Sequence, residues 1–575
     1  MSDNTSINSF LGLNMNETGD TQLKLGESGK MVNFRITKDN KLDKMYGYKE
    51  VFKQDGIIRA QWKGKLGENI VHVYVCGGKV YNEDTELGSL TDDITRIFEF
   101  NQKLYFINGH EYKEWDGTIF KDVEGYIPLV KVATTPNGVG TDYEPINVLT
   151  GKKRQTFSPD GTEKTFVLVE NNLTSIDSVK VDGVETTVTK DLTKGTITFS
   201  TAPTQGVDTI EVQWTKGTGQ RELVYKNHYF QTYGLADDTR VFLYGNADAK
   251  NRIYFSDLGN GIPNVTYFPG NNFMDIGSSN TAVTDIQRQY DRMIINKEDS
   301  TYYSTYEQIT DNTEENIIAF PVYPLNKSHG ARPYNQGQVL DNYVTTIDTS
   351  IVQWTSTNTK DERNAEIIST KIQEWLNKHD LTKSITLDYQ EEKEYWLAIE
   401  NEIMVYNYQN GCFYLLNIPS KITSLISYQG IIYMSTENGE IMEFDKNLTT
   451  YNGEGISAEW QSGYYDFGIE ERRKTMRILW VTLKPHSKTS LVVNYVSDRD
   501  AGSDEKEIEN RCIDYRYWNY DNFTYNTQRS VKPFRIKLKA KKFAFLKLIL
   551  KNEKSDEKVT VNSIAIKKVY GGEVK

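Results

Sequence analysis

At 575 residues the chain is long enough for three or four domains, each with a core of its own. Aromatic residues make up 12% of it, proline numbers only 13 and the net charge is −12, a balance that favours strands and disfavours general nucleic-acid binding or attachment to an anionic membrane surface. Cys76, Cys412 and Cys512 are too few and too scattered for a disulfide framework or a thiolate zinc site, so folding in a reducing cytoplasm is expected. MSDNTSINSF lacks the basic and apolar regions of a secretion signal, and no run approaches the ~18 apolar residues of a membrane-spanning helix.

The first stretch that suggests chemistry is GDTQLKLGESGKMVNFRIT (19–37). A phosphate-binding loop needs a glycine, four intervening residues and then Gly-Lys-Ser/Thr, so that backbone amides wrap the phosphates and the hydroxyl holds magnesium. Here Lys24 occupies the glycine position and Met31 the hydroxyl position. No buried apolar strand precedes it. Residues 1–44 are read instead as an N-terminal arm and a first strand.

From residue 45 the chain repeats one grammar: an alternating apolar strand, a polar turn, another strand, often a third. Examples are Ile94–Asn108, Val283–Tyr303 and Ile422–Asp445, with Ile57–Asn82 and Arg240–Asp257 looser. Ser384–Leu416 is the fullest, with turns at Gln390–Lys393, Glu400–Asn401 and Asn410–Gly411. Short strands grouped at blade-sized spacing predict a β-propeller of six or seven blades, in two parts at 45–143 and 218–452. Each small sheet is unstable alone and gains by packing on its neighbours. Unrelated hairpins in sandwiches are the plainer alternative.

Two blocks interrupt the grammar. Residues 144–217 carry strands about every ten residues and a VDGV turn, which predicts an inserted β-sandwich. Asp361–Asp380 reads as a helix, with Ile367, Ile368, Ile372, Trp375 and Leu376 on one stripe. Residues 453–575 read as a C-terminal β-sandwich. In it Phe534, Ile536, Leu538 and Ala540 alternate strictly with Arg535, Lys537, Lys539 and Lys541, one face apolar and the other basic. Val531–Lys575 holds thirteen basic against four acidic residues, which leaves the rest of the chain near −21.

Catalytic signatures are sparse. The six histidines never fall at HxH, HxxxH or HExxH spacing, and there is no GxSxG elbow or Cys/His motif. Two facing acids of a glycosidase type would leave no sequence signature. DRDAGSD (498–504) places Asp498, Asp500 and Asp504 loosely as in a calcium loop, without its DxDxDG order or closing Glu, so a solvated acidic turn is the simpler reading. No other metal and no cofactor is expected. The basic strand face of Arg535, Lys537, Lys539 and Lys541 is read as a solvated face or as an interaction surface for an acidic partner; it lacks the interleaved aromatics of single-strand binders.

These pieces resemble a family. Gly12-Leu13-Asn14, Asp20-Thr21, Leu25, Gly26-Glu27-Ser28, Asn33 and Tyr46-Gly47-Tyr48 follow the opening pattern of the propeller proteins in bacteriophage necks and tails, known as nozzle, stabilisation or tail-accessory proteins. The inserted block and WQSGYYDFG…RKTMRILWVTL are similar to parts of such proteins, although Met45-Tyr46-Gly47 replaces their usual Arg-Gly. The resemblance implies a structural, non-enzymatic virion protein made in a bacterial cytoplasm. It would assemble as a ring, commonly of six copies, below the portal and its adaptor, sealing the genome and later forming part of the ejection conduit. Double-stranded DNA would pass it without specific binding, since an acidic wall repels phosphates instead of trapping them. A receptor- or glycan-binding tail protein is the alternative from another class, and a propeller hydrolase a further one.

Overall fold

The computed structural model describes the whole chain except residues 1, 17–22, 236, 311–315, 356–363, 500–504, 514–524, 526, 528, 529, 539 and 575. Among the described residues seven four-stranded antiparallel units, numbered as sheets one to seven, follow one another along the chain. Five are separate sheets, the sixth is part of a ten-stranded sheet and the seventh part of a six-stranded one. The first runs from Ile58–Leu66 to Thr85–Ser89, the second from Arg96–Phe100 to Phe120–Asp122, and the third from Tyr229–Leu235 to Phe273–Asp275. Sheets four and five start at Val283–Gln289 and Gln338–Leu340, and sheet six spans Ile385–Tyr389 to Cys412–Asn417. Sheet seven takes Ile422–Tyr428, Ile431–Thr436 and Glu440–Phe444 from late in the chain and its fourth strand, Tyr48–Lys53, from near the beginning, with Phe444 opposite Tyr48.

Each sheet is apolar on both faces because it is covered on both. Val73, Val75 and Leu104, Phe106 form a core between sheets one and two, Phe98 and Leu243 between two and three, Phe242 and Ile295 between three and four, Ile294 and Trp354 between four and five. Leu340 and Ile351 of sheet five join the large core that includes sheet six, and Ile58 and Tyr74 of sheet one pack against Tyr433 and Ile441 of sheet seven. The face-to-face stacking is what the repeated strand grammar predicts. In sheet six the expected turns fall between the observed strands, and Lys393, Glu400 and Gly411 take the positive φ that such turns need.

The other regions depart from the sequence reading in three places. The inserted module begins with the strand Leu129–Thr134, ahead of residue 144, because that strand pairs in parallel with Lys152–Phe157. Its sheet continues through Ile210–Thr215 and Ser175–Val181, faced by a three-stranded sheet around Thr196–Thr198. The helix is shorter than Asp361–Asp380: it covers Gln373–Lys378 after a 3-10 turn at Thr370–Ile372. Ala365–Ile367 is instead the last strand of sheet five, paired with Val352–Trp354, so strand pairing overrides local helical periodicity there. Ile372, Trp375 and Leu376 are buried as expected, while Ile367 is exposed.

The third departure is that residues 1–44 are not a separate arm. Ser2–Ile7 pairs with the last strand, Thr560–Glu573, and Leu42–Lys44 pairs with its start. The C-terminal sandwich is therefore built from both chain ends.

Candidate functional site

The residues that carry the family resemblance converge. Glu27–Val32 is a strand, and it bridges two bodies: Val32 lies opposite Leu415 of sheet six, while Ser28 to Val32 run against Glu459 to Ser462 of the terminal sandwich. Through it, sheet six and one sheet of the sandwich form a continuous ten-stranded sheet. The short strand Gly12–Leu13 lies parallel to its beginning, with Gly12 opposite Glu27. Two glycines are required here. Gly12 has φ +78° and a Cβ would sit 2.5 Å from the Phe413 carbonyl oxygen; Gly26 has φ +96° and a Cβ would sit 2.3 Å from that of Ser9.

Glu27 is the buried centre of this clasp. Its Oε2 accepts from Asn14 Nδ2 at 3.0 Å and from the Lys24 amide at 3.1 Å, and its Oε1 pairs with the Lys371 ammonium at 3.0 Å. Burial opposes the charge, but these donors outweigh it and hold the carboxyl below its ordinary pKa. Ser28 Oγ lies 2.7 Å from the Gln461 carbonyl oxygen, and the Gly26 amide donates to Tyr465 Oη at 3.1 Å. Asn33 donates to the Ser457 carbonyl at 2.8 Å and accepts the Asn417 amide at 2.9 Å. Tyr48 stacks on Tyr451 at 4.7 Å between centroids. Lys30 points outward to Glu459 at 2.7 Å and Met31 is in the core, so GESGK cradles no phosphate; it is a strand. Asp20 and Thr21 lie outside the described residues.

The basic strand behaves as its alternation predicts. Lys532–Ile536 is an edge strand on Leu479–Leu483, with Arg535 opposite the half-buried Trp480. Ile536, Leu538 and Ala540 are buried, and Arg535, Lys537 and Lys541 are exposed. Lys539 lies outside the described residues. Of the loose calcium candidate, Asp500 and Asp504 do too, and Asp498 Oδ1 accepts the amides of Ala544 and Phe545 at 2.8 and 3.2 Å, which is the work of a turn. Among the described residues no group of three or more His, Cys, Asp or Glu could hold a metal.

Sequence reasoning missed one feature. A cavity of about 330 Å³ opens where the hairpin Phe34–Lys44 meets the terminal sandwich, and Arg35, Lys44, Lys446, Lys484, His486 and Lys558 line it together with Asp43 and Glu557. Lys44 Nζ donates to Asn552 Oδ1 at 2.6 Å and the Lys554 carbonyl at 2.7 Å, and burial pulls its pKa down to about 8. Glu557 Oε2 accepts from Ser490 and Asn552, while its buried Oε1 has no partner among the described residues. In the sequence these cations look like ordinary surface charges on short strands. Only the pairing of both chain ends gathers them.

No protein-family model matches the chain, and no curated protein does. Among solved structures it is similar to the computationally designed protein Ika8, at 10% identity and a TM-score of 0.31, over 69% of this chain and 99% of the other. BamB from Moraxella catarrhalis follows at 8% identity and 0.31, over 69% and 97%. An exo-β-1,3-galactanase from Phanerochaete chrysosporium gives 8% and 0.21, over 59% and 95%. At these TM-scores the likenesses carry no functional argument.

Proposed function

We propose that the seven sheets are the blades of one propeller, with the 129–215 module inserted between blades two and three, and that the chain is a structural component of a bacteriophage neck or tail. In this reading copies assemble as a ring below the portal and adaptor, seal the packaged genome and later form part of the ejection conduit. The observation that carries the reading is the clasp. Gly12, Asn14, Gly26, Glu27, Ser28 and Asn33, six of the residues of the resemblance, are committed to locking sheet six to a sandwich made from both chain ends. A conduit wall must resist the pressure of the packaged genome, and tying both termini into one sheet removes frayed ends that would yield first. The acidic balance outside Val531–Lys575 suits passage of DNA, and the basic sandwich face suits an acidic protein neighbour.

Immunogold microscopy on particles purified from a lysate, with antibody against 151–217, tests this. Label at the head–tail junction or along a short tail is expected. Label at the distal tip would move the assignment to receptor binding. Unlabelled particles, intact or opened, with the protein left in the soluble fraction, would overturn the phage reading.

A further inference from the structure

In a four-stranded meander the turns between strands one and two and between strands three and four emerge at the same end. Hydrogen bonds join those ends from sheet to sheet. Tyr233 Oη donates to the Asp291 carbonyl, Gln289 to the Asn342 carbonyl, Lys393 to Asp341, and Tyr389 Oη to the Gly430 carbonyl, which links sheets three to seven along one rim. That rim is unusually apolar. Ile70 (53% exposed), Ile119 (59%), Tyr290 (69%), Tyr343 (44%) and Ile431 (37%) sit in or beside its turns, and Ile309 and Ile317 face each other across its projecting hairpin. At the opposite rim Ile57, Ile94 and Ile367 are exposed, none above 44%, with Ile146 (51%) in the connection from sheet two to sheet three. Scattered exposed side chains need no explanation; a ring of them on one face does.

The same rim is acidic. Glu83, Asp84, Glu99, Asp237 and Asp291 are exposed at its turns and form no ion pair among the described residues; Arg288 and Arg292 only partly offset them. The outer face of the terminal sandwich has the opposite character. Arg477, Arg535, Lys537 and Lys541 are exposed there, likewise without an ion pair among the described residues, around the half-buried Trp480. Both surfaces belong to one chain, and they are complementary in sign, each with an aromatic or aliphatic centre.

We propose that the turn-bearing rim of the sheets and the basic face of the terminal sandwich are the two halves of a head-to-tail contact between copies of this chain. The contact joins different surfaces, so it propagates, and it closes into a ring if the rotation per copy divides a full turn. It rests on the ring reading above and names the surfaces that ring would use. Opposite charge steers the two faces together and makes the assembly salt-sensitive, while Trp480, Tyr290 and Tyr343 supply the desolvated centre.

The test uses two full-length variants. One carries Arg535→Glu, Lys537→Glu and Lys541→Glu; the other carries Asp237→Lys, Tyr290→Ser and Asp291→Lys. Every position is exposed, and circular dichroism with thermal unfolding checks the fold; Ile70→Ser with Tyr343→Ser replaces the second set if it unfolds. Mass photometry at low salt should find wild type as assemblies of more than two chains, dispersing as salt rises, and each variant alone at the 66.1 kDa of one chain. Each variant retains one intact half, so an equimolar mixture should form two-chain complexes and nothing larger. Variants that assemble like wild type, or a mixture that stays single-chain, would overturn these surfaces while leaving the ring itself intact. Wild type that stays single-chain at every concentration would overturn the ring reading and the contact together.

Discussion

The inserted sandwich and the N-terminal clasp each hold a largely buried charged side chain in an ion pair, yet they are assembled in opposite ways. In the insert, Lys153 meets Glu170 at 2.7 Å and Trp214 Nε1 donates to the same carboxylate at 3.1 Å. Its buried core, Phe157 to Trp214, is drawn from one short continuous stretch. In the clasp, Glu27 meets Lys371, and the Gly26 amide reaches Tyr465, 439 residues away in sequence. Local contacts cost little loop closure and form a unit that opens and closes by itself; contacts of such separation form only once most of the chain is in place. Damage to the insert should therefore stay in the insert, and damage to the clasp should spread.

The largest effect expected is local. Trp214→Ala removes a fully buried indole and leaves Glu170 short of a donor, at a cost of about 4 kcal/mol. Hydrogen exchange resolved by segment should lose protection across 152–215 and keep it across 385–417. Loss in sheet six as well would break the distinction between the two regions.

A somewhat smaller cost should travel further. Gly12→Ala forces a side chain onto φ +78° and onto the Phe413 carbonyl, at about 3 kcal/mol. Protection should fall together in sheet six, in Glu459–Ser462 and in the last strand, whose segments the clasp ties, and the insert should be unchanged. If only residues 2–14 lose protection, the clasp is a surface strap and not a joint.

The same difference decides what could be read in advance. Sheet six is legible because four strands and their turns lie in succession, and the basic face is legible because exposed Arg535 and Lys537 alternate with buried Ile536 and Leu538 in sequence, although the strand itself ends at Ile536. The insert's strands are legible but not its true start, since Leu129–Thr134 joins by a parallel pairing that leaves no turn signal. Ala365–Ile367 carries helical periodicity, and only its partner Val352–Trp354 makes it a strand. The clasp motif is visible as a pattern of Gly, Asn and Glu, but its meaning is not. Nothing near Glu27 in sequence announces Lys371, and nothing near Lys44 announces Asn552.

That last pair sharpens the comparison most finely. The insert's buried Lys153 has a carboxylate partner, whereas Lys44, at the joint of the chain ends, is held by neutral acceptors, with Glu557 and Asp556 acting only at longer range. Burial lowers its pKa from 10.5 to about 8. Below about pH 8 both folded and unfolded chains carry the proton, and folding bears the full cost of burying it. Between there and 10.5 the folded chain releases the proton while the unfolded chain keeps it, so stability rises with pH across that window. From about pH 7.5 to about pH 9 the gain is about 1 kcal/mol. Buried tyrosines and cysteines titrate with the opposite sign nearby, so the measurement is a difference: urea unfolding of wild type against Lys44→Met at several pH values. Wild type should gain about 1 kcal/mol on the variant over that interval. A constant difference would mean that Lys44 keeps its proton in the fold, drawn into partnership with Glu557, and that the joint handles buried charge as the insert does.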